Sequence, residues 1–357
     1  MDANIMFLAT DSSRAASPLP RGCTFRESDW HILAGFWHPV AFLHEVTPDK
    51  PHAARLLDVD LVLYRTGDGI TVARDLCPHR GTRLSRGFIK GDEIVCPMHG
   101  LSFNGEGRCT RIPSVANPVA PIPPRLKLQT VLSQERYGLI WVCLSGEPIW
   151  PLPEWPGIGN PAFSKLFMPV DTWMAAASRH VENFNDIAHF PWVHTQSFGG
   201  DTDWAAPHYE VTHTAHGLSF WIPYLEGGNR FPDGIEAERR QVVYRYDLTF
   251  PFSTIIAVEP QDSDFVHYFA DTVCPVSAHE TRIFQVVTDT SGNPDPELWT
   301  RDAHIINAED KPMVEEQRPE DLPLDLRDEI HIPADRLSIE YRRALVGKFG
   351  LGAPLTS

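Results

Sequence analysis

The chain's 357 residues exceed the ~250–300 at which a single core stops growing, so two domains are expected. Its 42% hydrophobic and 22% charged residues suit an ordinary soluble protein with a sizeable core. A formal net charge of −16 argues against nucleic acid or an anionic membrane as partner.

Residues 1–25 read as a loose, flexible arm of Ser, Ala and Pro. The arm begins without a basic stretch, and its apolar run at 5–9 is too short for a signal sequence. No stretch approaches ~20 apolar residues, and Cys23, Cys109, Cys143 and Cys274 are too scattered for a disulfide framework. A cytoplasmic location is expected. Residues 26–42 pair a short helical start with an aromatic run. His31, His38 and His44 lack ligand spacing there and read as structural. From about residue 56 the pattern alternates as strands around the turn Thr66-Gly67-Asp68-Gly69. A second hairpin turns at Asn104-Gly105, and 135–144 reads as one strong strand. Residues 26–155 are therefore expected to form a small antiparallel β domain.

Five prolines in residues 147–165 suit a rigid connection, with the boundary near Trp155. In the second domain, 156–357, residues 180–190 read as a helix that Pro191 stops. Residues 207–290 alternate as several strands. A long helix is expected over 296–317, kinked or broken at Pro312, and a last one over 335–349. The class is α+β.

Two constellations carry chemistry. Cys77-x-His79, sixteen residues, then Cys96-x-x-His99 set two thiols and two imidazoles on two tight loops, with Pro78 and Pro97 inside and Gly81 and Gly100 following. Such a set suits either a structural Cys2His2 zinc site or a two-iron cluster of the Rieske type. Farther on, Asn183, Asp186 and His189 are spaced by threes on one helix side, and the turn after Pro191 lets His194 face the same point. On the 296–317 helix Asp310 falls in the stripe of Ala303, Ile306 and Val314, where a lone charge is too costly to bury unpaired. Glu309 is directed elsewhere, towards Asp302 and Glu316. His189, His194 and Asp310 make a candidate facial triad for non-haem Fe(II), the alternative being a structural helix with buried hydrogen bonds. His208 and His213 repeat the histidine spacing on a strand-like segment and read as surface or packing.

Together the cluster loops and the run N-x2-D-x2-H-x4-H resemble the Rieske non-haem iron oxygenases, oxygenase (alpha) subunit, over nearly the whole chain after residue 26. Segments 36–40, 135–142, 308–317 and 337–343 resemble the demethylating members, of the vanillate O-demethylase and methylxanthine N-demethylase types. The resemblance implies an antiparallel β Rieske domain followed by a helix-grip catalytic domain. Cys77, His79, Cys96 and His99 would hold a [2Fe–2S] cluster. His189, His194 and Asp310 would hold mononuclear Fe(II), Asp310 through one or both oxygens, with Asn183 nearby. Asp186 would bridge His189 to His99 of a neighbouring subunit in a homotrimer.

O2 would be the co-substrate. The chain has no Rossmann fingerprint and no plant-type ferredoxin motif, so NAD(P)H would act only through a separate reductase bearing flavin and its own iron–sulfur centre, with or without a ferredoxin. Monooxygenation leading to O- or N-demethylation of a small aromatic compound is the expected reaction; cis-dihydroxylation or plain ring hydroxylation is the alternative. An electron-transfer Rieske protein would carry an extra cysteine in each loop, which CPHRGT and CPMHGL lack. A zinc-stapled binding module is the third reading. Met98 and Leu101 stand where the family usually has aromatic residues, and their apolar character would still shield the cluster. Phe220, Trp221, Tyr224, Phe250 and Phe252 are the expected cavity walls. His267 reads as core packing more than as a substrate contact. Arg230, Arg239, Arg240 and Arg245 are the candidates for an anionic substrate.

Overall fold

A computed structural model describes residues 19–67, 69–115, 121–200, 204–227 and 239–352. Most of the expected arm, Asp68 of the first turn and Arg230 lie outside the described residues. The first domain opens with α1 (Glu27–Leu33), which buries Trp30 and Leu33, and β1 (His38–Phe42), buried throughout. His38 packs as a structural residue: its Nε2 donates to the Leu33 carbonyl at 2.9 Å, and burial lowers the imidazole to about 4. Strands β2 (His52–Leu56), β3 (Val59–Thr66) and β4 (Gly69–Arg74) form one antiparallel sheet. A second sheet joins β5 (Phe88–Lys90), β6 (Glu93–Val95), β7 (Ser102–Phe103) and β8 (Cys109–Arg111).

The stretch 135–144 is two strands. β9 (Leu132–Arg136) and β10 (Leu139–Cys143) fold back on each other around Tyr137 and Gly138, and β10 also pairs with β1. Both turn residues have positive φ, 59° and 79°, which a two-residue hairpin of the primed type requires. Tyrosine is no turn signal, so the apolar run around it hides the break.

After α2 (Pro156–Gly159) come β11 (Leu166–Phe167), β12 (Asp171–Trp173), α3 (Ala177–Phe184), α4 (Phe190–Val193) and β13 (Thr212–His213). The long strands β14 (Gly217–Glu226), β15 (Arg240–Thr249), β16 (Ser253–Pro260), β17 (His267–Ser277) and β18 (Glu280–Asp289) follow. Among the described residues these make one antiparallel sheet in the order β11-β18-β17-β16-β15-β14-β13, with β12 also on β18. Across it lies α5 (Pro296–Glu315), capped by Asp295, whose carboxylate accepts from the Glu297 and Leu298 backbone N–H groups. Pro312 lies inside this helix without ending it. The closing helix is α6 (Arg336–Phe349), stopped by Gly350 at φ 78°.

Charged pairs fasten the helices that carry the site. Arg342 on α6, 3% exposed, donates to both oxygens of Glu182 on α3 at 2.8 Å and to Glu329 at 2.6 Å. On the other side of α3, buried His180 donates to Asp271 on β17 at 2.9 Å. Asp271 also accepts from Gln285, which exchanges hydrogen bonds with Asn307 on α5. A broad apolar core runs from Trp30 and Trp141 through Trp155 to Phe284 and Tyr341, so the first sheet and the large sheet are packed together. A second, smaller core of Val62, Tyr64, Ile94 and Phe103 lies apart from it.

Gly138 allows a direct test of the hidden turn. A Cβ there would sit 2.4 Å from the Phe167 ring, on a backbone at φ 79°. Gly138→Ala is expected to destabilise the protein by about 1–3 kcal/mol, read as a lower urea midpoint at unchanged slope.

Candidate metal centres

Cys77 follows β4 and Cys96 follows β6, and both loops repeat one hydrogen-bond pattern. Cys77 N–H donates to the Thr82 carbonyl (2.8 Å) and Gly81 N–H to the Cys77 carbonyl (2.9 Å). In the other loop Cys96 N–H donates to Leu101 (2.8 Å) and Gly100 N–H to Cys96 (3.0 Å). Gly81 and Gly100 have φ of 72° and 70°, a conformation that favours glycine. Both thiols are buried in the smaller core, and burial pushes Cys77 up to about 11 with Cys96 adding to the rise. The imidazoles of His79 and His99 are exposed, with ring centroids 4.6 Å apart. Two buried sulfurs opposite two surface imidazoles fit a bimetallic cluster with a distinct ligand type on each metal. Leu101 is buried against the loops, while Met98 is 58% exposed and its sulfur accepts from Thr82 Oγ1 at 3.0 Å.

The second centre is built from α3, α4 and α5. The expected continuous helix to Pro191 does not form. α3 ends at Phe184, where Asn185 turns its side chain onto the Val181 carbonyl and Thr254. Asp186 then accepts from the Ala188 and His189 backbone N–H groups, fixing a turn. Pro191 sits in the first turn of α4 instead of stopping a helix, because no intrahelical N–H bond is needed there. Asn183, Asp186 and His189 therefore meet through a helix end and a turn, not along one helix face.

The result is a convergence of lone pairs. His189 Nδ1 donates to Asp186 (2.9 Å) and His194 Nδ1 to Glu309 (3.1 Å), which turns both Nε2 atoms towards each other at 3.1 Å. Asp310 Oδ1 lies 3.4 Å and 3.5 Å from them, buried and without a hydrogen bond. Three lone-pair atoms so placed repel unless a proton or a metal ion joins them. Edges of 3.1–3.5 Å suit three adjacent ligands at about 2.1 Å from a first-row metal, so the donor set fits one. The charge balance agrees. Burial opposes ionisation of Asp310, but the facing His189 and His194 imidazoles and the Asn183 side chain hold its carboxyl below the usual range. Burial likewise opposes the charge on His189, yet Asp186 and Asp310 raise it to about 9, so without a metal the ring holds a proton that a bound cation would displace.

The three donors border a cavity of about 470 Å³, walled by Phe184, Tyr244, Tyr246, Phe269, Trp299 and Ile306. Two family models match the chain: the Rieske [2Fe–2S] domain over residues 36–131 and the vanillate O-demethylase oxygenase C-terminal domain over 173–348. Methylxanthine N1-demethylase NdmA of Pseudomonas putida is 30% identical over 322 residues, 88% of each chain. The chain belongs to the Rieske-type oxygenases. Methylxanthine N3-demethylase NdmB of the same organism is 28% identical over 88% of this chain and 89% of that one. The structure of P. putida NdmA with caffeine superposes with a TM-score of 0.75 at 29% identity, covering 89% of this chain and 92% of that one.

For this oxygenase, the antiparallel first domain and the mixed α/β second domain agree with the expected fold class. Further expectations about the site need correction. Glu309 does not point away: its carboxylate also accepts from Gln196 N–H (2.9 Å) and Ser197 Oγ (2.6 Å). The chain after His194 folds back over α5, so the stripe beside Asp310 is covered too; only the Glu-Asp pair itself hinted at this. The expected cavity walls are also wrong. Phe220 stacks on Tyr246 within the core, Tyr224 packs on Phe190, and Phe250 and Phe252 lie towards Phe349 and His38. Trp221 faces the other side of β14 and is 56% exposed, as strand alternation demands. His267, read as core packing, borders the cavity. His208 and His213 are exposed, as expected.

Glu309→Gln keeps the shape but weakens the hold on His194. It is expected to lower affinity for added Fe(II) by about 10–100-fold, measured by anaerobic titration, while leaving the visible spectrum of the Rieske domain unchanged.

Proposed function

We propose that the protein is the terminal oxygenase of a multi-component system that removes a methyl group from the nitrogen or oxygen of a small aromatic or heteroaromatic compound. Residues 26–155 form the electron-receiving unit and 156–357 the catalytic one. Cys77, His79, Cys96 and His99 hold the [2Fe–2S] cluster; His189, His194 and Asp310 hold ferrous iron. When bound, the cluster supplies electrons one at a time and the iron activates O2. The convergence of His189, His194 and Asp310 on an aromatic-walled cavity is the observation that carries this reading.

The chain's own residues do the rest. Asp186 and Glu309 fix both imidazoles in the tautomer that leaves Nε2 free. Asn183 steadies the Asp310 carboxylate. The aromatic walls exclude water and orient a flat ring. One O2, two electrons and two protons convert the substrate methyl to a hydroxymethyl and water; the hydroxymethyl then leaves as formaldehyde. Two electrons per turnover come from NAD(P)H through a separate reductase carrying flavin and an iron–sulfur centre. Asp186 makes no hydrogen bond to His79 or His99 of its own chain among the described residues, and it borders a surface groove with Arg318, Glu329 and His331. That supports a bridge from Asp186 to His99 of a neighbouring subunit in a homotrimer.

Chemically reduced, iron-loaded protein mixed with O2 and methoxylated or N-methylated aromatics should release formaldehyde matching the substrate consumed. Hydroxylated or diol products without formaldehyde would move the protein to ring hydroxylation. Asp186→Asn, with Fe(II) added to saturate the weakened His189 site, should still lower turnover at least about tenfold, and full activity in that variant removes the bridge.

A further inference from the structure

The polar groups around the cavity are unequal in charge. Glu226, Asp289, Asp295, Asp302 and Asp310 border it, whereas Arg240 is the one lysine or arginine among the described lining residues. Arg240 lies 3.2 Å from Glu226, which also accepts from the Tyr244 hydroxyl at 2.8 Å. An aromatic carboxylate entering here would have to take Arg240 from Glu226 and leave that carboxylate short of a cation. Of the other expected anion binders, Arg245 pairs with Glu259 on the exposed side of β15 and Arg239 is exposed.

Most of the acids are already engaged. Asp289 accepts from the Ser291 N–H and hydroxyl, Asp295 caps α5, and Asp310 belongs to the triad. Asp302 differs. Its Oδ1 makes no hydrogen bond, and its ion pair is a long one, 3.5 Å to Nε of the 42% exposed Arg301 side chain. Burial pushes the Asp302 carboxyl up, with Arg301 opposing. His267 Nδ1 is also buried and unbonded, and its ring lies 5.2 Å from Trp299, one helical turn from Asp302. Burial, the largest effect, and Arg240 push that imidazole down, while Asp289 Oδ2, 3.9 Å from the same Nδ1, favours charge there.

Asp302, Ile306 and Asp310 follow one another at steps of four along one side of α5. Their backbone positions are therefore about 12 Å apart along the axis, with Ile306 between them. We propose that the cavity selects small aromatic or heteroaromatic substrates bearing a proton-carrying nitrogen, which Asp302 accepts at the end remote from Asp310, and rejects aromatic carboxylates. The inference rests on the proposed function and narrows its substrate class.

The test is equilibrium binding by calorimetry to the metal-loaded protein without reductant. The probes are 4-methoxybenzylamine (a cation), 1-methyluracil (a neutral N–H), 4-methoxybenzoate (an anion) and 4-methylanisole (neither). At least one nitrogen probe should bind about tenfold or more tighter than the benzoate, and Asp302→Asn should abolish that advantage while 4-methylanisole binds as before. Preference for the amine alone assigns a cationic substrate; preference for the uracil assigns a neutral donor. Benzoate binding equal to both nitrogen probes, no nitrogen probe bound at millimolar concentration, or an unchanged nitrogen preference in Asp302→Asn overturns the proposal. If Asp302→Asn also loses 4-methylanisole, Asp302→Glu is read instead, and loss of its nitrogen preference overturns the proposal. Nitrogen-selective binding without formaldehyde in single turnover would remove the demethylase reading alone. Formaldehyde from the benzoate would do the reverse.

Discussion

A buried carboxylate oxygen with no hydrogen bond is the constraint around which the second domain is organised. Asp310 Oδ1 faces two imidazole nitrogens that are themselves barred from turning away, because each ring is held at its far side by a carboxylate. Left to itself such an arrangement is unfavourable, and only rigid supports keep it assembled. Those supports are identifiable. Arg342 ties α3 to α6, the His180–Asp271–Gln285–Asn307 chain ties α3 to α5 through the sheet, and Glu309 ties the segment after His194 back to α5. The neighbours Glu309 and Asp310 thus divide the work, since Glu309 orients a histidine while Asp310 faces the point where the histidines meet.

The first domain solves a different problem. Its thiols are buried in a small core of their own, and its imidazoles stand at the surface, so a cluster held there has one end insulated and one end accessible. That polarity suits electron exchange with another chain more than chemistry on a substrate. The aromatic cavity lies with the other centre, against His189, His194 and Asp310. Under the proposed function, electron receipt and substrate oxidation are divided between two sites in a chain whose main apolar core is shared.

Much of this was legible in the sequence because cysteine and histidine in short spaced motifs have few other uses, and because Asp310 violated the apolar stripe it sits in. The missed features share a cause: they depend on contacts between segments remote in sequence. Gln196 and Ser197 meet Glu309 only because the chain folds back over α5. The helix break at Asn185 depends on Thr254 of β16 as well as on Val181. Which aromatics wall the cavity is decided by strand pairing and parity, so Tyr244, Tyr246 and Phe269 line it while Phe220 and Trp221 do not. The Tyr137-Gly138 turn was local, yet tyrosine masked it.

Metal analysis of the purified protein tests the central claim most directly. The account predicts about three iron and two acid-labile sulfide per chain, with Asp310→Ala holding about two iron and an unchanged visible spectrum. Three irons retained in Asp310→Ala, or zinc in place of iron and sulfide in the wild-type protein, would contradict it.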